Sequence, residues 1–229
     1  MKIAGLLTCY NRAPKTEACI KRIIAILKDD NELDFHLFVT NDGSTDNTQK
    51  MLEHYKNLLK ITVIQGDGNL FWSGGMRASW EKALETDTFD GFLWINDDTY
   101  INDNVFSEIR ASQEYSNKVF KKDCISVGAT CSSTSEELTY SGMKKGQRLI
   151  PTGDFQSCEM SNGNIVYVPK SVVAELGIID KHYHHGIGDI DYTYSAYKRN
   201  IPVLLLREYC GVCDNDHSSK YTALCGGVI

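Results

Sequence analysis

Short apolar runs alternate with stretches of helical periodicity from the first residues of this chain. Lys2 to Thr8 reads as a buried strand that breaks into the polar loop Cys9 to Pro14. From Lys15 to Leu27, Ala18, Ile20, Ile23, Ile24 and Leu27 recur on one helical face. Asp34 to Thr40 is a second strand. It closes on the turn-rich run Asn41-Asp42-Gly43-Ser44-Thr45-Asp46-Asn47, and a helix from about Thr48 to Leu59 leads to a third strand at Lys60 to Gln65. This alternation predicts an α/β fold with a parallel, doubly wound sheet, which gathers ligands at the carboxyl ends of its strands.

Gly66 to Gly75 reads as a glycine-rich loop feeding a helix from about Met76 to Leu84. The strand Phe92 to Ile95 runs into Asn96-Asp97-Asp98, and a helix from Asp103 to Asn117 precedes another strand at Cys124 to Thr130. Beyond that the rhythm fails. Cys131 to Glu159 is polar and weakly periodic, which suggests hairpins or a mobile loop. Asn162 to Pro169 reads as a turn, a strand and a stop, followed by helices at Lys170 to Leu176 and Thr193 to Lys198. No repeat, low-complexity tract or linker divides the chain, so residues 1–229 are expected to form a single domain whose second half is mixed.

Composition narrows the function classes. With 229 residues, 42% of them hydrophobic, the chain can bury a sizeable core. A formal charge of −6 argues against a general nucleic-acid binder, which carries a basic face. No window of about 18 apolar residues marks a membrane span, and the apolar N-terminus turns polar too early for a signal peptide. A cytoplasmic location follows as an expectation, with peripheral contact at the inner face of the cell membrane left open. The eight cysteines are scattered, which fits reduced thiols, and Cys210-Gly211-Val212-Cys213 lacks the second pair a zinc site would want.

The candidate chemistry sits at strand ends. Two adjacent carboxylates at Asp97 and Asp98 repel one another and suit a strand end poorly, unless a hard divalent cation is held there; an ordinary Asn-Asp-Asp turn is the alternative. Arg77, in the first turn of its expected helix, opposes the helix dipole, which a bound anion would justify. Asp189 and Asp191 follow flexible glycines. Either could act as a general base on a hydroxyl group, and either could instead cap the following helix. His185 is a candidate for the acceptor pocket. His217, within Asp214 to Ser219, is either a last metal ligand or part of an exposed polar turn.

Taken together these motifs resemble the family-2 glycosyltransferases of the GT-A fold, over nearly the whole chain. Thr8-Cys9-Tyr10-Asn11-Arg12 matches the family's Thr-x-x-Asn-Arg-like run, and Asp42-Gly43-Ser44-Thr45-Asp46 its Asp-Gly-Ser-x-Asp motif. Asn96-Asp97-Asp98 falls on the D-x-D-type metal motif. Gly188-Asp189-Ile190-Asp191 falls on the late Glu-Asp-x-Asp motif, with Gly188 in place of its first acid. The run Gly68 to Arg77, with Asn162-Gly163-Asn164 and His185 to Tyr192, is similar to a bacterial branch labelled rhamnosyltransferase-like.

The resemblance implies a GT-A, Rossmann-like domain with a mostly parallel central sheet. About residues 1–100 would bind the nucleotide sugar and about 101–229 the acceptor. It implies an inverting transfer from a UDP- or dTDP-linked sugar to a saccharide or lipid-linked saccharide, in bacterial surface polysaccharide synthesis. Asp42, with Thr8, Cys9, Asn11 and Arg12, would line the base pocket. Asn69, Gly74, Gly75, Arg77, Asn96 and Asp97 would contact the donor. Mg²⁺ or Mn²⁺ would bind Asp98 and His217, Asp189 or Asp191 would supply the base, and Trp72, Asn162 and His185 would face the acceptor. The rival readings are a sugar-nucleotide nucleotidyltransferase, which usually opens with a glycine-rich phosphate loop absent from Thr8 to Lys15, and a non-catalytic sugar-nucleotide-binding protein.

Overall fold

A computed structural model describes residues 1–28, 30 and 32–214. The first half alternates strictly: β1 (Lys2–Cys9), α1 (Ala13–Leu27), β2 (Asp34–Asp42), α2 (Thr48–Tyr55), β3 (Ile61–Gly66), α3 (Phe71–Thr86) and β4 (Gly91–Ile95). A two-residue β5 (Tyr100–Ile101) and α4 (Val105–Phe120) lead to β6 (Ile125–Cys131). Short strands follow: β7 (Leu138–Tyr140), β8 (Gly142–Lys144), β9 (Gln147–Arg148), β10 (Gln156–Ser157) and β11 (Met160–Ser161). The described part closes with β12 (Ile165–Pro169), α5 (Lys170–Leu176), α6 (Gly188–Lys198) and β13 (Val203–Val212).

The main sheet runs β10-β13-β6-β12-β4-β1-β2-β3, and β11, β8 and β9 form a small second sheet. The strands from β4 to β3 are parallel to one another, as are β6 and β13. The strand β12 lies antiparallel between β4 and β6. That reversal matters for function, because it brings the start of β12, with Asn162 to Asn164, to the edge where the parallel strands end.

Both faces of the sheet are covered, which explains why its strands read as unbroken apolar runs. One core packs Cys19, Ile20, Ile23, Leu52, Phe106 and Ile109, from α1, α2 and α4, against residues such as Leu7, Val39 and Leu93. The other packs Met76, Trp80, Val172, Tyr192 and Ala196, from α3, α5 and α6, against Leu6, Phe38 and Trp94. Trp80 sits at the centre of the second core, with ring centroids 5.4–5.5 Å from those of Phe92, Trp94 and Tyr192.

Three features depart from the sequence pattern. The helix α3 starts at Phe71 rather than near Met76, so Gly74 and Gly75 are helical. Gly75 packs on Thr8, leaving no room for a Cβ. The helix α6 starts at Gly188 rather than Thr193, which places Asp189 and Asp191 in its first turn. The longest described strand, β13, follows Pro202 and is not among the expected elements, although it opens on the apolar run Val203 to Leu206. No described helix is long and apolar enough to cross a membrane.

Candidate active site

A cavity of about 660 Å³ opens at the carboxyl edge of β1, β2 and β4, within the usual range for small-molecule sites. Its N-terminal rim comprises Thr8, Cys9, Tyr10, Arg12, Asp42, Phe71, Trp72 and Asn96 to Asp98. Its C-terminal rim comprises Tyr140, Asn162, Asn164, His185, Gly186 and Asp189.

On the N-terminal rim most motif residues hold the loops together. Asp42, only 4% exposed, accepts hydrogen bonds from the Gly68 amide at 2.9 Å and from the Leu70 and Phe71 amides at 3.0 Å. Its carboxylate therefore caps α3. The carbonyl of His184 accepts from the Ser73 and Gly74 amides at 3.0 and 3.2 Å, completing that cap. These two acceptors explain why α3 begins so early despite its glycines. They also correct an expectation: the Gly74 amide, bonded to Leu70 and His184, has no hydrogen left for a phosphate. Arg77 does not reach the cavity either; it donates to the carbonyls of Asp180 and Tyr183, which anchors the 180–187 loop. Asn69 is exposed on the loop before α3, away from the lining.

Asn11 adopts a left-handed conformation (φ 51°) and accepts from the Thr45 and Asp46 amides at 2.7 and 3.2 Å. It staples the β1 and β2 loops together instead of lining the cavity. Asp46 extends the staple, accepting from the Ala13 amide and from the amide and hydroxyl of Thr48, so one carboxylate serves the starts of α1 and α2.

Beyond β4, Arg12 binds both carboxylates of the acidic pair, at 3.0 Å to Asp97 and 2.5 Å to Asp98. Asp97 is turned inward: one oxygen meets Arg12 and the other accepts from the Thr16 hydroxyl at 3.1 Å. Burial raises its carboxyl to about 6, with Arg12 pulling the other way. Asp97 and Arg12 nevertheless both line the cavity. Asp98 is more open. Its second oxygen meets the Cys213 thiol at 3.7 Å, and that thiol, pushed up to about 12 chiefly by burial, stays protonated. The Asn164 amide donates to Cys213 from behind at 3.4 Å.

No described cluster of three or more His, Cys, Asp or Glu side chains could enclose a metal ion, and His217 lies outside the described residues. Asp98 nevertheless supplies hard oxygens beside the cavity. That fits a cation of the Mg²⁺ type, which takes one or two carboxylates and draws its other ligands from substrate phosphates and water.

The C-terminal rim holds the second acidic pair and separates its members. Asp189 lines the cavity, accepting from the Gly163 amide at 2.7 Å and the Ile190 amide at 2.9 Å. Burial raises its carboxyl above the usual range, against those two amides. Asp191 points elsewhere and binds the Tyr183 hydroxyl. Gly188 has a steric cause: a Cβ there would lie 2.6 Å from Ser73 Oγ and 3.2 Å from Ser73 Cβ, so the family's usual glutamate does not fit against α3. Gly163 is constrained likewise, since a Cβ would lie 2.5 Å from the Trp72 ring. Trp72 donates to Asn96 Oδ1 at 2.7 Å, tying the start of α3 to the acidic strand end. His185 stands at the rim with its ring 5.4 Å from Phe71, and Asn162 lies beside Gly163.

Five lining residues carry no site role in the sequence pattern: Tyr10, Phe71, Tyr140, Asn164 and Gly186. Tyr10 was findable, being the residue just past a strand that ends at the binding edge. Phe71 is half exposed at φ 53°, a costly conformation for a bulky residue and a mark of a constrained site. Tyr140 comes from the weakly patterned stretch, and nothing local distinguishes it.

Residues 6–120 match the model of glycosyl transferase family 2. No match was found among curated proteins. Among solved structures, the crystal structure of S. aureus TarS 1–349 superposes with a TM-score of 0.64 at 19% identity, covering 93% of this chain and 60% of that one. The same TarS segment in complex with UDP-GlcNAc gives a TM-score of 0.63 at 14% identity, covering 100% of this chain and 62% of that one. The complex with UDP gives 0.61 at 16% identity, covering 93% and 60%. The chain thus spans about three-fifths of those TarS structures, and the likeness shows a shared fold.

Proposed function

The chain belongs to glycosyl transferase family 2, and we propose that it transfers a sugar from a nucleoside-diphosphate sugar to a hydroxyl group of a saccharide or lipid-linked saccharide, with inversion at the anomeric carbon. The observation that carries this reading is the convergence of Asp98 and Asp189 on one cavity, beside Asp42 and Asp97, whose carboxylates are also held by α3 amides and by Thr16 and Arg12. One open carboxylate serves the leaving group and one desolvated carboxylate serves the incoming hydroxyl.

Asp189 accepts the acceptor's proton as the oxygen attacks the anomeric carbon, and the bond to the diphosphate breaks on the opposite face. A single displacement needs one base and inverts the centre. Burial suits Asp189 to this task, because a raised carboxyl is a stronger base. Asp98 would hold Mg²⁺ or Mn²⁺, which when bound supplies charge neutralisation at the departing diphosphate. Arg12, already paired with that carboxylate, adds a fixed positive charge beside it. Trp72 and Gly163 position Asp189 through close packing. Tyr10 offers a ring to the nucleobase at the end of β1. The likeness to TarS bound to UDP supports a uridine donor, with a dTDP-linked sugar as the other pyrimidine choice. The run Gly68 to Arg77 supports the rhamnosyltransferase-like branch and a place in bacterial surface polysaccharide synthesis.

The test is a thermal-shift series with UDP, dTDP and their sugars, with and without Mn²⁺, followed by nucleoside-diphosphate release from the stabilising donor. The expected result is metal-dependent stabilisation by a pyrimidine nucleotide, lost in Asp98→Ala. Absence of stabilisation by every pyrimidine nucleotide overturns the proposal, and an unchanged shift in Asp98→Ala overturns the metal placement alone.

A further inference from the structure

At the amino edge of the main sheet, opposite the cavity, two helix ends carry an unusual surface for a chain with net charge −6. The end of α4 presents Lys118, Val119 and Phe120, all exposed, with Val119 at 51% and Phe120 at 44%. Lys121 turns the chain sharply in a left-handed conformation (φ 57°) and is followed by exposed Lys122. The end of α6 presents exposed Tyr194 and Tyr197, whose rings stack at 6.2 Å, followed by Lys198 and Arg199. Lys122 Nζ reaches the Asn200 carbonyl at 3.3 Å, so the two ends form one surface. Phe120 continues through Tyr115 to Phe155, with ring centroids 6.2 and 5.0 Å apart.

Helix dipoles favour lysines at helix ends, and that accounts for some of the cations. It does not account for exposed Val119 and Phe120 between them. Against these five cations stand three acids: Asp123, which accepts from Asn117 and Ser171, Glu114 on α4 itself and Glu175 on α5, so the surface keeps an excess of positive charge.

We propose that this edge docks the protein on an anionic lipid bilayer, with Val119 and Phe120 entering the headgroup region and the lysines and Arg199 contacting lipid phosphates. The shape favours a bilayer over a globular partner. Val119 and Phe120 sit at a helix end and line neither the active-site cavity nor the one beside Phe106 and Arg110. A fluid surface accepts such a corner, while long lysine stems keep their charges at the headgroups.

Flotation of the full chain with phosphatidylcholine vesicles, and with vesicles containing 30% phosphatidylglycerol, tests the proposal without reference to glycosyl transfer. The expected result is binding to the anionic vesicles only, weakening as salt rises. Lys121→Glu with Lys122→Glu should lower partitioning at least tenfold, about 1.4 kcal/mol. Phe120→Ser should also lower it, whereas Lys50→Glu on α2 should not. Should the double charge reversal fail to fold, the salt series and Phe120→Ser decide. No binding to anionic vesicles, equal loss in Lys50→Glu, or full retention in Phe120→Ser overturns the proposal. Retention combined with binding to polyglutamate points instead to an acidic macromolecule.

Discussion

On the N-terminal rim Asp42 accepts hydrogen bonds from three amides at the start of α3, whereas on the C-terminal rim Asp189 accepts from two; both line the cavity. The contrast extends to their neighbours. Asn11, Asp46 and Asp97 belong to recognisable motifs, yet each spends its side chain joining loops or helix starts. The C-terminal rim has fewer motif residues, and on it Asp189 lines the cavity while Asp191 does not. A motif residue can thus build a site without touching the ligand.

The largest expected effect separates the two acids of α6. Asp189→Asn should lower kcat by about 10²–10⁴-fold, the usual range for losing a general base. Asp191→Asn should leave kcat within an order of magnitude, because it serves Tyr183. The pH profile should agree. The ionised carboxylate is the active form and burial raises its pKa, so kcat should fall as pH drops through a value above the ordinary aspartate range. A profile unchanged in Asp189→Asn would remove the base from this position.

Next comes Asp42→Ala, which strands three amides at the start of α3. Leaving a buried donor unpaired costs about 1–3 kcal/mol, and because these amides are only partly buried the total should stay near about 3 kcal/mol in urea unfolding. Native stability together with lost nucleotide binding would make Asp42 a ligand contact and erase the contrast between the rims.

Gly188→Ala should cost about 1–3 kcal/mol, because its Cβ meets Ser73. Adding Ser73→Ala should restore part of that, a non-additivity that a double-mutant cycle detects. Full additivity would mean that the space beside α3 can relax. The smallest effect is expected for Trp72→Phe, which removes the hydrogen bond to Asn96 and should cost about 1 kcal/mol.

Much of the architecture was legible in the order of residues. The strands β1 to β4 and β6, and the helix α5, follow from apolar runs and spacing. The strand ends that carry Asp42 and Asp98 mark the binding edge without any structure. Elements set by distant partners were not legible. Local propensity places the start of α3 after its glycines, but a carboxylate from β2 and a carbonyl from residue 184 cap it at Phe71. The start of α6 shifts for a similar reason, since Gly188 packs on Ser73.

The sequence by itself determined the α/β class, the polar strand ends and the family, because these depend on periodicity and on motifs a few residues long. Only the tertiary structure decided which acids face the cavity. Asp42, Asp97, Asp98 and Asp189 line it, Asp42 while capping α3 and Asp97 while binding Thr16 and Arg12, whereas Asp191 turns to Tyr183. The physical reason is that a carboxylate goes where its hydrogen-bond partners are. Those partners lie dozens of residues away in the chain and become neighbours only when the sheet forms.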